Sequence, residues 1–206
     1  MGQPKKQRSK YSGPSHPWQK ARLDEEKIIR LAYGTKNKKE IWKMKAVIAQ
    51  LATQAKKVEG RLDKQAELEK TQLLQRAKKL GLIKEGQTAD DILGLTLKDI
   101  MERRLQTIVF KRGLAMTIKQ ARQMITHEHI FVDGRKITAP SYVVPVHEED
   151  KISYSHDSPF TNTGHPERVK YEEKVKPQQQ QNAPKAEKVE AVPAPEPKVE
   201  GLKVVE

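Results

Sequence analysis

Asp133-Gly134 constrains the fold more than any other pair of residues, because of what flanks it. His129-Ile130-Phe131-Val132 precedes it and Arg135-Lys136-Ile137-Thr138 follows it, each with strand-like composition and a period of two. Asp-Gly tolerates positive φ at both positions, as a tight hairpin turn demands. Immediately upstream the period is helical. Thr117, with Gln120 three residues later, forms a capping box for a helix running to about His127. Before it, Thr96 is placed to cap a helix that continues through Arg112 and ends at Gly113. A further strand is expected at Lys151-Ile152-Ser153-Tyr154, after the acidic turn Glu148-Glu149-Asp150. Two helices leading into a small antiparallel sheet predict an α+β unit over residues 98–154.

The flanks have different textures. Residues 1–37 are basic and broken by Gly13-Pro14 and His16-Pro17, which predicts an extended arm, tacked down locally by Trp18, with a short helix over Leu23 to Leu31. Residues 38–97 read as a helical domain. Ile41, Met44, Ile48, Leu51 and Ala55 recur at helical spacing with lysines on the other faces. A second helix is expected from Asp63 to Leu80, buried through Leu73, Leu74, Ala77 and Leu80 and stopped by Gly81, and a short one near Thr88, capped with Asp91. Residues 155–171 are expected to be an extension packing on the body or on RNA. From 172 to 206 the Gln/Pro/Ala/Glu/Lys mixture cannot bury enough apolar surface to offset the entropy of ordering, and it reads as a disordered tail.

The formal net charge of +13 calls for a polyanionic partner. A membrane partner is not expected, since no apolar run reaches the roughly 18 residues of a spanning helix. Met1 to Lys6 lacks the apolar core of a secretory signal, and Lys6 leaves a myristoylation pattern incomplete. Without cysteine there is neither a disulfide nor a cysteine-ligated zinc. A soluble cytoplasmic protein is the expectation. Three Phe, five Tyr and two Trp allow only a small core.

Between Arg103 and Arg122 the cations Arg103, Arg104, Lys111, Arg112, Lys119 and Arg122 occur with no acidic residue among them. Lys119, Arg122, Gln123 and Thr126 share one helix face, with Ile118, Ala121 and Ile125 opposite; Arg104, Thr107 and Lys111 share another, with Leu105, Ile108 and Val109 turned inward. Arg135 and Lys136 sit just past the turn and extend the positive surface. Arginine binds phosphate bidentately and each neutralised phosphate releases counterions, so this surface suits an RNA backbone. His127-Glu128-His129 has the wrong spacing for a helical metal site, and RNA contact or a helix-end role suits His127 better. No metal, cofactor or small-molecule substrate is expected. No nucleophile arrangement or phosphate-cradling glycine loop is present, so the chain reads as a non-enzyme.

Arg103-Arg104-Leu105, Lys111-Arg112-Gly113-Leu114-Ala115, Gln120-Ala121-Arg122-Gln123-Met124-Ile125 and Ile130 to Ile137 closely resemble the RNA-binding module named after small-subunit ribosomal protein S-four. Gln106 stands where that module commonly has Asp, and Asp133 where it commonly has Asn. Pseudouridine synthases, a tRNA synthetase and heat-shock proteins carry the module too, so the flanks decide. Gly13 to Trp18, Tyr33 to Trp42 and Leu105 to Phe110 resemble the archaeal and eukaryotic branch of the ribosomal family, over roughly Met1 to Val175. The resemblance implies a structural constituent of the small subunit that binds a multi-helix junction of its rRNA early in assembly. It also implies neighbouring ribosomal proteins as partners, a place near the messenger RNA entry path and a part in translational accuracy. An RNA-binding regulatory factor outside the ribosome is the alternative.

Overall fold

The computed structural model describes residues 9–162, 164–166 and 168. The expected disordered tail, residues 172–206, lies outside the described residues.

Helix α1 spans Lys20–Tyr33 and ends at Gly34, whose φ of 59° closes the helix in the left-handed conformation. The expected short helix within an arm is therefore a full helix of 14 residues. Its Glu26 is buried and accepts hydrogen bonds from Arg22 Nη1 (2.6 Å) and Trp42 Nε1 (2.9 Å), with Lys38 Nζ at 3.1 Å. Trp18 does not tack the arm down, being 90% exposed. Arg22 does so instead, through the carbonyls of His16 (3.0 Å) and Pro17 (2.8 Å).

Helix α2 (Lys38–Glu59) buries Ile41, Met44, Leu51 and Ala55 of the face its period predicts, leaves Ile48 half-buried and extends the face to Val58. Helix α3 (Lys64–Lys79) lies antiparallel beside it and stops at Leu80 and Gly81, and the short α4 (Ala89–Leu93) starts with a Thr88/Asp91 capping box. Leu51, Ala55, Leu73, Ala77, Ile83 and Ile92 form the core of this region. Met44, Ile100 and Met101 form another, against which Ile29 and Tyr33 of α1 pack.

The helix expected from Thr96 through Arg112 is two helices. Helix α5 (Leu97–Glu102) and helix α6 (Leu105–Lys111) are separated at Arg103-Arg104, where Arg104 is extended (φ −70°, ψ 140°). The cause is a backbone partner some forty residues away in sequence. Arg104 forms a β-bridge with Val143, Leu105 N–H donates to the Tyr142 carbonyl (2.7 Å) and Val144 N–H donates to the Arg103 carbonyl (2.9 Å). These bonds replace the helical ones that the break gives up.

Helix α7 (Ile118–Thr126) begins with Thr117 Oγ1 accepting from Gln120 N–H at 3.1 Å. Gln120 Oε1 accepts from Met116 N–H (2.8 Å), so the return half of the expected box reaches one residue further back. Strands β1 (Ile130–Val132), β2 (Arg135–Lys136) and β3 (Ile152–Tyr154) form an antiparallel sheet in the order β2-β1-β3. Asp133 (φ 51°) and Gly134 (φ 75°) make the hairpin turn. The acidic turn before β3 is partly the short helix α8 (Val146–Glu149). Leu105, Ile108, Val109, Ala121, Met124, Ile125, Ile130, Val132, Val144 and Ile152 fill the space between α6, α7 and the sheet. After β3 the chain turns back, with Ser155 N–H donating to the His129 carbonyl (2.8 Å) and Phe160 against this core.

Candidate nucleic-acid interface

Although the stretch from Arg103 to Arg122 contains no acid, tertiary structure brings acids to most of its cations. Arg103 Nη1 meets Glu149 at 2.6 Å and its Nη2 donates to the Val144 carbonyl at 3.0 Å. Arg112 pairs with Asp150 (2.7 Å), Lys111 with Glu102 (3.0 Å) and, beyond the hairpin, Lys136 with Asp157 (3.2 Å). Lys119, Gln123, His127 and Arg135 are exposed, and among the described residues neither Lys119 nor Arg135 takes part in an ion pair.

Arg104 is the clear correction. Its side chain is 1% exposed, so it is absent from the basic surface that helical spacing assigned to it. Thr107, assigned to the same face, is buried as well and donates from Oγ1 to the Met101 carbonyl at 2.8 Å. The break before Leu105 puts Arg104 outside α6, between α5 and the first turn of α2. There its Nη2 reaches Glu40 Oε2 at 2.8 Å. Arg122 of α7 binds the same carboxylate with both Nη atoms, at 3.1 and 2.9 Å. Burial pushes the Glu40 carboxyl up, but the hydrogen bonds and charges of Arg122 and Arg104 outweigh it and hold the group below the ordinary carboxylate range. Glu40 thus joins α2 to the strands-and-helices module through two guanidinium groups. The sequence marks Glu40 only as an acid within a run of lysines.

Gln106 makes a second joint. It is fully buried, and its Nε2 donates to the carbonyls of Gly34 (3.2 Å) and Ile118 (2.9 Å). An Asp carboxylate there would accept but not donate, so the amide is the side chain that satisfies two facing carbonyls. The joint places the α1–α2 turn against the first residue of α7.

Between them runs a groove of about 450 Å³, lined by Lys27, Arg30, Leu31, Gly34, Thr35, Lys36, Lys119 and Arg122. Lys27, Arg30 and Lys36 are candidates that sequence reasoning missed. Lys27 and Arg30 stand one turn apart on α1, a visible signal, but which helix face meets α7 is fixed only by the Gln106 and Glu40 contacts. No group of three or more His, Cys, Asp or Glu side chains suited to a metal occurs among the described residues. His127 and His129 stack with ring centroids 6.4 Å apart, and His129 Nδ1 lies 3.1 Å from Ser158 Oγ.

Residues 103–150 match the S4 domain family. The matched segment opens at the helix break and closes at Asp150, so the Arg103–Glu149 and Arg112–Asp150 pairs tie its beginning to its end. The likeness to whole proteins runs much further. The chain is 46% identical over 169 residues to the small ribosomal subunit protein uS4 of Thermoplasma acidophilum, covering 81% of this chain and 85% of that one. It is 48% identical over 170 residues to that of Methanococcus aeolicus, covering 82% and 96%. With the protein of Picrophilus torridus it shares 45% over 172 residues, covering 82% and 94%. The chain belongs to the uS4 family. The likeness spans about three and a half times the length of the S4 domain match, so it reaches well outside that domain. The uS4 relatives carry names of ribosomal proteins, not enzymes, in keeping with the reading of the sequence.

Proposed function

We propose that the chain is a structural constituent of the small ribosomal subunit and binds small-subunit rRNA. The observation that carries this is identity of 45–48% to small-subunit uS4 proteins over four-fifths of the chain. The charge of +13 and the exposed Lys119, Gln123, His127 and Arg135 support it from the physical side. RNA would be read through its shape, phosphates and 2′-hydroxyls more than through base sequence. In this reading the protein binds a multi-helix junction early and directly, without other proteins. It favours one arrangement of RNA helices by binding that arrangement more tightly, so assembly of the subunit body nucleates on it. Neighbouring ribosomal proteins are its other partners, its place is in cytoplasmic small subunits near the messenger RNA entry path, and it contributes to accuracy.

Co-sedimentation of the full chain with salt-washed small subunits tests the reading. Stoichiometric retention is expected, together with binding to protein-free small-subunit rRNA above unrelated RNA. Absence of retention would overturn the ribosomal assignment and leave a regulatory RNA-binding role as the alternative.

A further inference from the structure

We propose that the groove between the α1–α2 turn and α7 seats RNA sugar–phosphate backbone, gripped by Lys27, Arg30, Lys36 and Lys119 and lined by Thr35. The proposal rests on the rRNA-binding reading and names its site, most of which lies outside the S4 domain match.

Charge accounting separates this groove from its rival. A cavity of about 500 Å³ near Gly81 is also lined by cations, but its Arg103, Lys111 and Arg112 are balanced by Asp99, Glu102 and Glu149. No acidic residue lines the α1–α7 groove. Among the described residues Lys27, Arg30, Lys36 and Lys119 form no ion pair. Arg122 is taken up by Glu40 and serves to position α7. Four uncompensated cations drawn from α1, the turn and α7 form a site whose charge must be met by an anion from outside.

The groove is also held in shape before anything binds. Gly34 has φ +59°, and a Cβ there would lie 2.6 Å from Ile118 Cγ2 and 3.0 Å from Gln106 Nε2. The turn is therefore seated directly on α7. A separate observation concerns Thr35. It is 4% exposed, and its Oγ1 has no hydrogen-bond partner. Buried hydroxyls are ordinarily paired. A rotation about χ1 that brings the hydroxyl to the groove gives it a phosphate oxygen as acceptor. From Lys119 the polar face of α7 continues through Gln123 and Thr126 to His127, about 12 Å at the helical rise. That length suits a track of successive phosphates better than a single small anion.

The test uses the full chain and protein-free small-subunit rRNA, with filter binding over a salt series and phosphate-ethylation interference. The variants are Lys36→Ala combined with Lys119→Ala, Thr35→Val, Thr35→Ser, and a control pair on α3, Lys78→Ala with Lys79→Ala. Circular dichroism and melting confirm that each is folded. The groove pair is expected to bind about tenfold more weakly, to flatten the slope of log K against log salt by roughly 0.7–0.9 for each phosphate no longer neutralised, and to erase specific interference sites. Thr35→Val is expected to weaken binding with the slope unchanged, Thr35→Ser to restore it, and the α3 pair to behave as wild type. If wild type binds the rRNA and the folded groove pair matches it in affinity, slope and interference, the proposal falls while the family reading stands. Failure of the wild type to prefer this rRNA overturns both. Loss of polyglutamate binding in the groove pair, with rRNA interference intact, would assign the groove to an acidic protein and overturn the proposal.

Discussion

Glu40 holds two ion pairs of different character on one carboxylate. Arg104 is buried at 1% side-chain exposure, whereas Arg122 keeps 27%. Arg104→Ala removes a buried charge-assisted hydrogen bond but leaves Glu40 held by both Nη atoms of Arg122, so it is expected to destabilise the protein by about 1.5–3 kcal/mol in urea titration. Lys119→Ala, exposed and in no ion pair, should stay within about 0.5 kcal/mol of wild type. The Lys111–Glu102 pair is half exposed on both sides, and disrupting it should cost about 0–1 kcal/mol. The contrast shows what residue spacing could and could not deliver. Lys119, Gln123 and Thr126 were legible as an exposed face because α7 is one uninterrupted helix. Arg104 was not, since the break at Arg103-Arg104 resets the helical phase on which the face was drawn.

Elements follow the same division. Helices α2, α3 and α4 and the β1–β2 hairpin start and stop where local chemistry dictates: the Asp63 start, the Thr88/Asp91 box, Gly81 and Asp133-Gly134. The division of α5 from α6 was illegible because its cause, the backbone of residues 142–144, is remote in sequence. The packing of α1 was likewise illegible, since Glu26 meets Lys38 and Trp42 only once α2 is in place. Gly34 joins these levels, being both the end of α1 and a contact surface for α7. Gly34→Ala forces a side chain into positive φ and against Ile118, and a loss of about 1–3 kcal/mol is expected from the shift in thermal midpoint. In the module core, Ile125 is fully buried against the sheet. Ile125→Ala should cost about 2–5 kcal/mol, read as a lower urea midpoint. Rescue of that loss by bound RNA would follow mass action, whereas removal of the groove cations would leave free-protein stability intact.

Across the whole body, Glu26 fastens α1 to α2 and Glu40 fastens α2 to the α5–α6 break and to α7. Burial raises both carboxyls, but hydrogen bonds win in each: from Trp42, Lys38 and Arg22 for Glu26, and from Arg122 and Arg104 for Glu40. Both therefore lie below the ordinary carboxylate range when folded. The sign of the linkage is then fixed. A folded carboxyl with depressed pKa contributes stability fully above its unfolded value, about 4.3 for Glu, and loses it as pH falls through the folded value. Acid should accordingly loosen the joints between helical region and module while leaving the apolar cores chemically unchanged. The net charge of +13 adds repulsion as carboxylates are protonated, so wild type alone cannot separate the two effects. Glu40→Gln separates them. It should be less stable than wild type at pH 7, and the difference should shrink as pH falls from about 5 to 3, because protonation gives wild type the same neutral side chain. Urea midpoints of both proteins across that range provide the measurement. A difference that stays constant with pH would mean that Glu40 acts through packing, and that the charged joint between α2 and the module carries no net electrostatic stabilisation.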